Sequence, residues 1–176
     1  MDLAIIPECY VDTNLIESIA PPRQGGYNHQ KGCGTVTKVM KERFSDAFAL
    51  GIVDKDKKTI DYLHEFDIVC NIDSLTLHKH KTRHHYIIQI DPAIERFILK
   101  SAQTAGISLH DFGLPEDLAL LTKISKTINS KKDVKFKNLF KALIGSQTPE
   151  IIRLSNWIRY LKENTYRADP EAVKDL

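Results

Sequence analysis

The alternation of apolar and polar positions changes character near residue 91. Before that point, short apolar runs are separated by stretches with helical spacing. Leu3-Ala4-Ile5-Ile6 has the continuity of a buried strand. Residues 10–20 place Val11, Leu15, Ile16 and Ile19 on one helical stripe, which Pro21-Pro22 ends. Residues 21–33 form a Gly-, Pro- and Asn-containing connection with room for a short strand around Tyr27-Asn28-His29. A second helix is expected over residues 35–44, with Val36, Val39 and Met40 inward. Residues 48–53 are apolar apart from Gly51, which suits a central strand of a parallel sheet better than an exposed hairpin. Residues 68–77 and 86–90 add two strand candidates around a polar turn, Lys79-His80-Lys81-Thr82-Arg83.

After Asp91-Pro92 the pattern is helical. Ile94, Phe97, Ile98 and Ala102 recur at helical spacing over residues 93–105, and further helices are expected over 116–128 and 134–144. Thr148-Pro149-Glu150 opens a last helix, with Ile151, Leu154, Ile158 and Leu161 on one face. Strands and helices in alternation, then helices alone, predict an α/β core with a C-terminal helical extension.

Composition narrows the class. The 176 residues are 42% hydrophobic and 27% charged, the proportions of a globular chain. No apolar run approaches the roughly 20 residues that span a bilayer, and the first residues lack the basic region of a secretory signal. Cys9, Cys33 and Cys70 are too few for a disulfide framework, so a reduced, cytoplasmic protein without membrane association is expected. The net charge of +2 conceals its distribution. Residues 1–90 hold 11 basic and 12 acidic residues, whereas residues 123–141 hold seven lysines and one acid, Asp133.

Four acids stand out by position. Glu8 follows the first strand, Asp12 lies one turn into the first helix, and Asp54 and Asp56 follow the second strong strand. Sites in open parallel sheets collect outside the carboxyl ends of the strands. If these two strands are neighbours, the four acids share one rim. Clustered carboxylates call for a compensating cation, and oxygen-only donors suit Mg²⁺ or Mn²⁺ better than zinc.

Three segments resemble a known family. Glu8-Cys9-Tyr10-Val11-Asp12 is similar to the Glu-Gly-x-x-Asp element that opens Toprim domains, with Cys9 where that pattern has glycine. Gly32-Cys33-Gly34-Thr35-Val36 resembles the glycine-containing start of their second helix, and Gly51-Ile52-Val53-Asp54-Lys55-Asp56 resembles their strand ending in Asp-x-Asp. Among Toprim proteins the nuclease domains of the overcoming-lysogenization-defect type are the most similar. The resemblance covers residues 1–95, leaving 96–176 as a helical extension packed on that core. It implies a mostly parallel Toprim-like sheet flanked by helices, and a nuclease that uses Mg²⁺ or Mn²⁺ to cleave phosphodiester bonds in DNA or RNA. Glu8, Asp54 and Asp56 would carry the chemistry, with Asp12 and Glu95 completing the metal ligands. Such nucleases often carry an ATPase, and this chain shows no such region, so a partner ATPase in trans is a further expectation.

Other segments carry two readings each. Lys79, Lys81 and Arg83 form an exposed basic hairpin that could hold a nucleic-acid backbone, and Lys131 and Lys132 could do the same. The lysines of residues 123–141 also fit the wet face of helices. His78, His80, His84 and His85 lack cysteine partners, and the interleaved cations oppose Zn²⁺. Gly32 and Gly34 could admit a phosphate at a helix start or merely relieve a turn. Asp12 could serve the helix end alone, and residues 54–58 could be a solvated turn. A catalytically silent Toprim-like module that binds a partner protein or nucleic acid therefore stands beside the nuclease. An unrelated α/β scaffold is the third possibility, in which Glu8 and Asp54 would not converge.

Overall fold

A computed structural model describes residues 2–55 and 60–176. Five strands form one mixed sheet in the order β1-β2-β5-β4-β3: β1 (Ile5–Pro7), β2 (Ala49–Asp54), β3 (Phe66–Ile72), β4 (Leu75–His80) and β5 (His85–Ile90). The strands β1, β2 and β5 run parallel, while β4 and β3 add an antiparallel hairpin. Along the parallel strands the side chains alternate between two apolar layers, as a pleated strand dictates. Ile5, Leu50, Ile52 and Ile88 face one layer, and Ile6, Ala49, Val53 and Ile87 face the other.

The second layer is covered by α2 (Cys33–Arg43), whose Val36 and Met40 press on β2. A Cβ at Gly51 would lie 2.9 Å from Met40 Sδ and 3.1 Å from Val36 Cγ1, so only glycine admits the helix this close. The first layer packs on α1 (Tyr10–Ile19), α3 (Ile94–Ala105), α4 (Leu118–Ser125), α5 (Val134–Gly145) and α6 (Pro149–Asn164). These C-terminal helices share a single core with the sheet. Residue 95 lies in the first turn of α3, so the boundary expected after residue 95 falls inside a helix rather than in a linker.

The architecture is the expected α/β sheet flanked by helices, including a C-terminal helical set. Two local expectations change. Residues 68–77 are two strands, because the chain turns at Asp73, which adopts φ 55°, a left-handed conformation that aspartate tolerates better than most residues. No strand forms at residues 27–29. There the N–H groups of Asn28 and Gln30 donate to the carbonyls of Ile5 and Pro7, both at 3.0 Å, and so cover the outer edge of β1. No described helix is long and apolar enough to cross a membrane.

Candidate active site

The parallel strands end together at one rim. The N–H of Glu8 donates to the Ile52 carbonyl at 3.0 Å, which continues the β1–β2 ladder by one residue. Its carboxylate turns back and accepts the N–H of Asp54 at 3.1 Å. Asp54 in turn accepts the N–H of Ile94 at 2.9 Å. That bond satisfies an open donor at the start of α3, where the N-cap residue Ala93 offers no side-chain acceptor. Asp54 thus ties β2 to α3 and brings Glu95, one residue on, to the same place.

Asp12 enters from α1. Cys9 is the N-cap of that helix, with its Sγ accepting the N–H of Asp12 at 3.4 Å while Asp12 Oδ2 accepts the N–H of Cys9 at 2.9 Å. This reciprocal pair is a capping box with sulfur in place of a hydroxyl. Cys9 has φ −126° and ψ 175°, extended backbone open to any residue, so the position that is glycine in the Toprim pattern needs no glycine here. Burial, the Asp12 charge and the nearby Asp54 push the Cys9 thiol far up, which keeps it protonated.

The four acids Glu8, Asp12, Asp54 and Glu95 act on one another electrostatically. Burial, then the charges of Asp12, Glu8 and Glu95, push Asp54 up to about 9. Burial, with Glu8 and Glu95 adding repulsion, pushes Asp12 up to about 7 against the opposing hydrogen bonds from Cys9. Asp12 is 1% exposed, and its buried Oδ1 has no hydrogen-bond partner among the described residues. Glu95 is buried and accepts a hydrogen bond from the Ser125 hydroxyl. Convergence of Glu8 with Asp54, the arrangement an unrelated scaffold would lack, is therefore present. Asp56 lies outside the described residues.

The donor chemistry fits a hard divalent cation: oxygen atoms only, with one buried carboxylate oxygen still unpartnered. Among the described residues, however, no three acids, histidines or cysteines already stand as a coordination set. The charges of Glu8 and Glu95 reach Asp12 and Asp54 strongly enough to raise both, yet the described residues form no ready cage.

The two basic segments part company. The 3₁₀ turn Ile128–Lys132, which carries Lys131 and Lys132, is tied to α1 near the rim. Asn14 Nδ2, two residues past Asp12, donates to the carbonyls of Ser130 at 2.8 Å and Asp133 at 3.0 Å. Lys79, Lys81 and Arg83 lie elsewhere. The strand β5 runs from His85, opposite Ala49, to Ile90, opposite Asp54, so the turn before His85 sits at the far end of the sheet from the acids. Six residues of strand separate the ends, roughly 20 Å. Lys79 is half-buried, donates to the carbonyls of His80 and Arg83, and lies 5.2 Å from the Tyr86 ring centroid.

The histidines there are mostly structural. His78, His80 and His85 are buried, and only His84 is exposed. His85 Nε2 faces the Phe44 carbonyl at 2.8 Å and must donate, so its Nδ1 accepts the Tyr62 hydroxyl at 2.7 Å. His80 Nδ1 accepts the N–H groups of Thr82 and Arg83, both at 3.1 Å, leaving Nε2–H for Glu65. Burial pushes all three below the ordinary histidine value.

Gly32 and Gly34 flank Cys33 at the start of α2 and, with Glu8, line a cavity of about 770 Å³. Gly32 is the N-cap and adopts φ 89°, a conformation that favours glycine. Lys38 and Lys41 line the same cavity and were not anticipated as site residues. Their signal was present in the sequence: Lys38 lies four residues past Gly34 and so shares its helical face.

No family model matches this chain, and no curated protein or solved structure matches it significantly.

Proposed function

We propose that the chain is a Mg²⁺- or Mn²⁺-dependent nuclease with a Toprim-like core that cleaves phosphodiester bonds in nucleic acid. One observation carries the reading. Asp12 and Asp54 are gathered with Glu8 and Glu95 at the carboxyl ends of parallel strands, and among the described residues no lysine or arginine hydrogen-bonds to Asp12, Asp54 or Glu95. Buried carboxylates left in this state cost stability, and a fold retains such an arrangement where chemistry uses it.

Glu8, Asp12, Asp54 and Glu95 would hold the cation, which when bound polarises the phosphate and lowers the pKa of an attacking water. Glu8, fixed through its own backbone and the Asp54 N–H, is the carboxylate best oriented to take the proton of that water. Lys131 and Lys132 would position the strand from the α1 side.

The test is cleavage of labelled DNA and RNA with Mg²⁺ or Mn²⁺. Asp54→Asn is expected to lower the rate by on the order of a hundredfold. Unchanged cleavage by that variant would remove the reading. The lack of a ready three-ligand set among the described residues favours a second one, a catalytically silent module that binds nucleic acid or a partner protein. Calorimetric titration with Mg²⁺ separates them, since the silent module takes up no cation at millimolar concentration.

A further inference from the structure

Residues 123–141 carry seven lysines, of which Lys131 is half-buried and the rest are exposed. None of their ammonium groups makes a hydrogen bond or ion pair with a described residue. The acids of residues 116–141 are Glu116, Asp117 and Asp133, and each holds a backbone N–H, those of Leu109, Leu120 and Lys135 respectively. The lysines are therefore free for an anion from outside.

Three aliphatic side chains stand among them in the open. Leu120, Ile128 and Val134 are 55%, 69% and 63% exposed. Each is followed three residues on by a lysine: Lys123 in α4, Lys131 in the 3₁₀ turn Ile128–Lys132, and Lys137 in α5. That spacing puts both members of a pair on one face of a helix, their Cβ atoms roughly 5–6 Å apart in the two α-helices. The surface thus repeats one unit, an apolar contact beside a cation, three times.

The unit selects among acidic partners. A helix that lies in a lipid interface separates its apolar face from its charged one. Here both kinds share a face, and the apolar faces of α4 and α5 are already buried through Leu121, Phe136, Leu139 and Phe140. A duplex turns its phosphates outward and keeps its bases stacked, so it would use the lysines and leave the aliphatic side chains wet. An unpaired strand offers a phosphate and a base face with every nucleotide. The stripe is also fastened to the acid rim. Ser125, at the end of α4, donates to Glu95, and Ser130 Oγ donates to the Ser125 carbonyl at 2.6 Å. Asn14 holds the Ser130 and Asp133 carbonyls from α1.

We propose that α4, the 3₁₀ turn and the start of α5 form a docking surface for an unpaired nucleic-acid strand, with Leu120, Ile128 and Val134 against its bases and Lys123, Lys131 and Lys137 on its phosphates. The choice of nucleic acid over another acidic partner rests on the nuclease reading of the adjoining carboxylates.

Fluorescence anisotropy of labelled oligothymidylate, with the full chain in EDTA, reads docking apart from cleavage. The wild type should bind the unpaired strand more tightly than a duplex of the same length. Ile128→Ser with Val134→Ser should weaken the unpaired strand about tenfold and leave the duplex unchanged. Lys123→Gln with Lys137→Gln should weaken both and lower the slope of log affinity against log salt for the unpaired strand by about 1.4. All four positions are exposed, so melting temperatures should stay close to that of the wild type. No binding, no preference over duplex, or equal binding by the aliphatic variant overturns the proposal. So does uptake by phosphatidylserine vesicles in place of the oligonucleotide. The expected binding pattern without cleavage after Mg²⁺ is added keeps the docking surface and removes the nuclease. Cleavage with binding unaltered in both variants does the reverse.

Discussion

Asp2 and Asp12 are both buried and stand at opposite ends of β1, yet the protein treats them in opposite ways. Burial pushes Asp2 up, but the hydrogen bond and charge of Lys162, with the N–H groups of Gln24 and Arg23, carry it below its ordinary value. Lys162 Nζ lies 3.0 Å from Asp2 Oδ1 and also donates to the Pro21 carbonyl and the Tyr27 hydroxyl. Asp12 has its own capping bonds with Cys9 but stands among acids. The Asp2 end pins α6 to the start of the chain, so its charges are matched. At the other end, where three parallel strands finish, no cation among the described residues pairs with Asp12 or Asp54. The contrast sets a carboxylate neutralised by a buried lysine against carboxylates that repel one another.

The comparison is broken most severely at its structural end. Lys162→Met would leave Asp2 buried without its cation. The expected loss is about 3–5 kcal/mol, the usual cost of removing one partner of a buried pair. Urea unfolding measures it. A loss below about 1 kcal/mol would mean that the pair behaves as a surface contact and that the two ends of β1 do not differ as described.

The acid rim should respond in the other direction, and to pH. Asp12 and Asp54 have folded values of about 7 and about 9, above the ordinary carboxylate value of 3.8. Between those limits the folded state holds more protons than the unfolded one. The stability they contribute is complete below about 3.8 and is lost as pH rises through about 7 and then about 9. The histidines have the opposite sign. His78, His80 and His85 lie below 6.5 in the folded state, so their contribution is present above that value and is lost as pH falls. Metal-free protein should therefore show a stability maximum with the histidines on its acid flank and the aspartates on its alkaline flank. Asp54→Asn should flatten the alkaline flank alone and add about 1–3 kcal/mol there. Mg²⁺ should restore stability on that flank in the wild type and much less in the variant. Thermal melts across pH, with and without Mg²⁺, measure all of this, and an alkaline flank indifferent to both changes would remove the unmatched charge from the account.

Much of this rim was legible in the sequence, for a physical reason. The apolar runs before Glu8 and Asp54 have the continuity of buried strands, and the meeting of Glu8 with Asp54 at their carboxyl ends follows from parallel pairing, which the register Ile6↔Gly51 and Pro7↔Ile52 now shows. The helices over Tyr10–Ile19 and Pro149–Asn164 were equally plain from their apolar stripes, although the cap of the first is the unanticipated Cys9 and Thr148 makes no side-chain capping bond. The hairpin at Asp73 was not, because the alternation of Ile68, Cys70 and Ile72 resumes at Leu75 and Leu77 with no glycine or proline between. The far placement of Lys79, Lys81 and Arg83 depended on the direction in which β4 and β5 run, which local pattern does not encode. The histidines misled because four of them among cations look wet, whereas three are buried, and the packing of His80 and His85 on Tyr62 and Phe66 makes their ring nitrogens internal partners.

The smallest effect is expected where an ion pair stands at the rim yet belongs to neither end of the comparison. Lys55 follows β2, Asp91 follows β5, and Lys55 Nζ lies 2.7 Å from Asp91 Oδ2. The two side chains are 52% and 43% exposed, so water screens the attraction. Lys55→Ala should cost no more than about 0.5 kcal/mol in urea unfolding. It should nevertheless be felt by the site, because removing the cation leaves Asp91 as one more uncompensated negative charge at the edge of the carboxylate cluster. Mg²⁺ affinity should rise slightly, by less than about fivefold, and the gain should vanish at high salt as the exposed charge is screened. A large stability loss, or a gain in affinity that survives high salt, would place Lys55 inside the buried cluster and not on its wet margin.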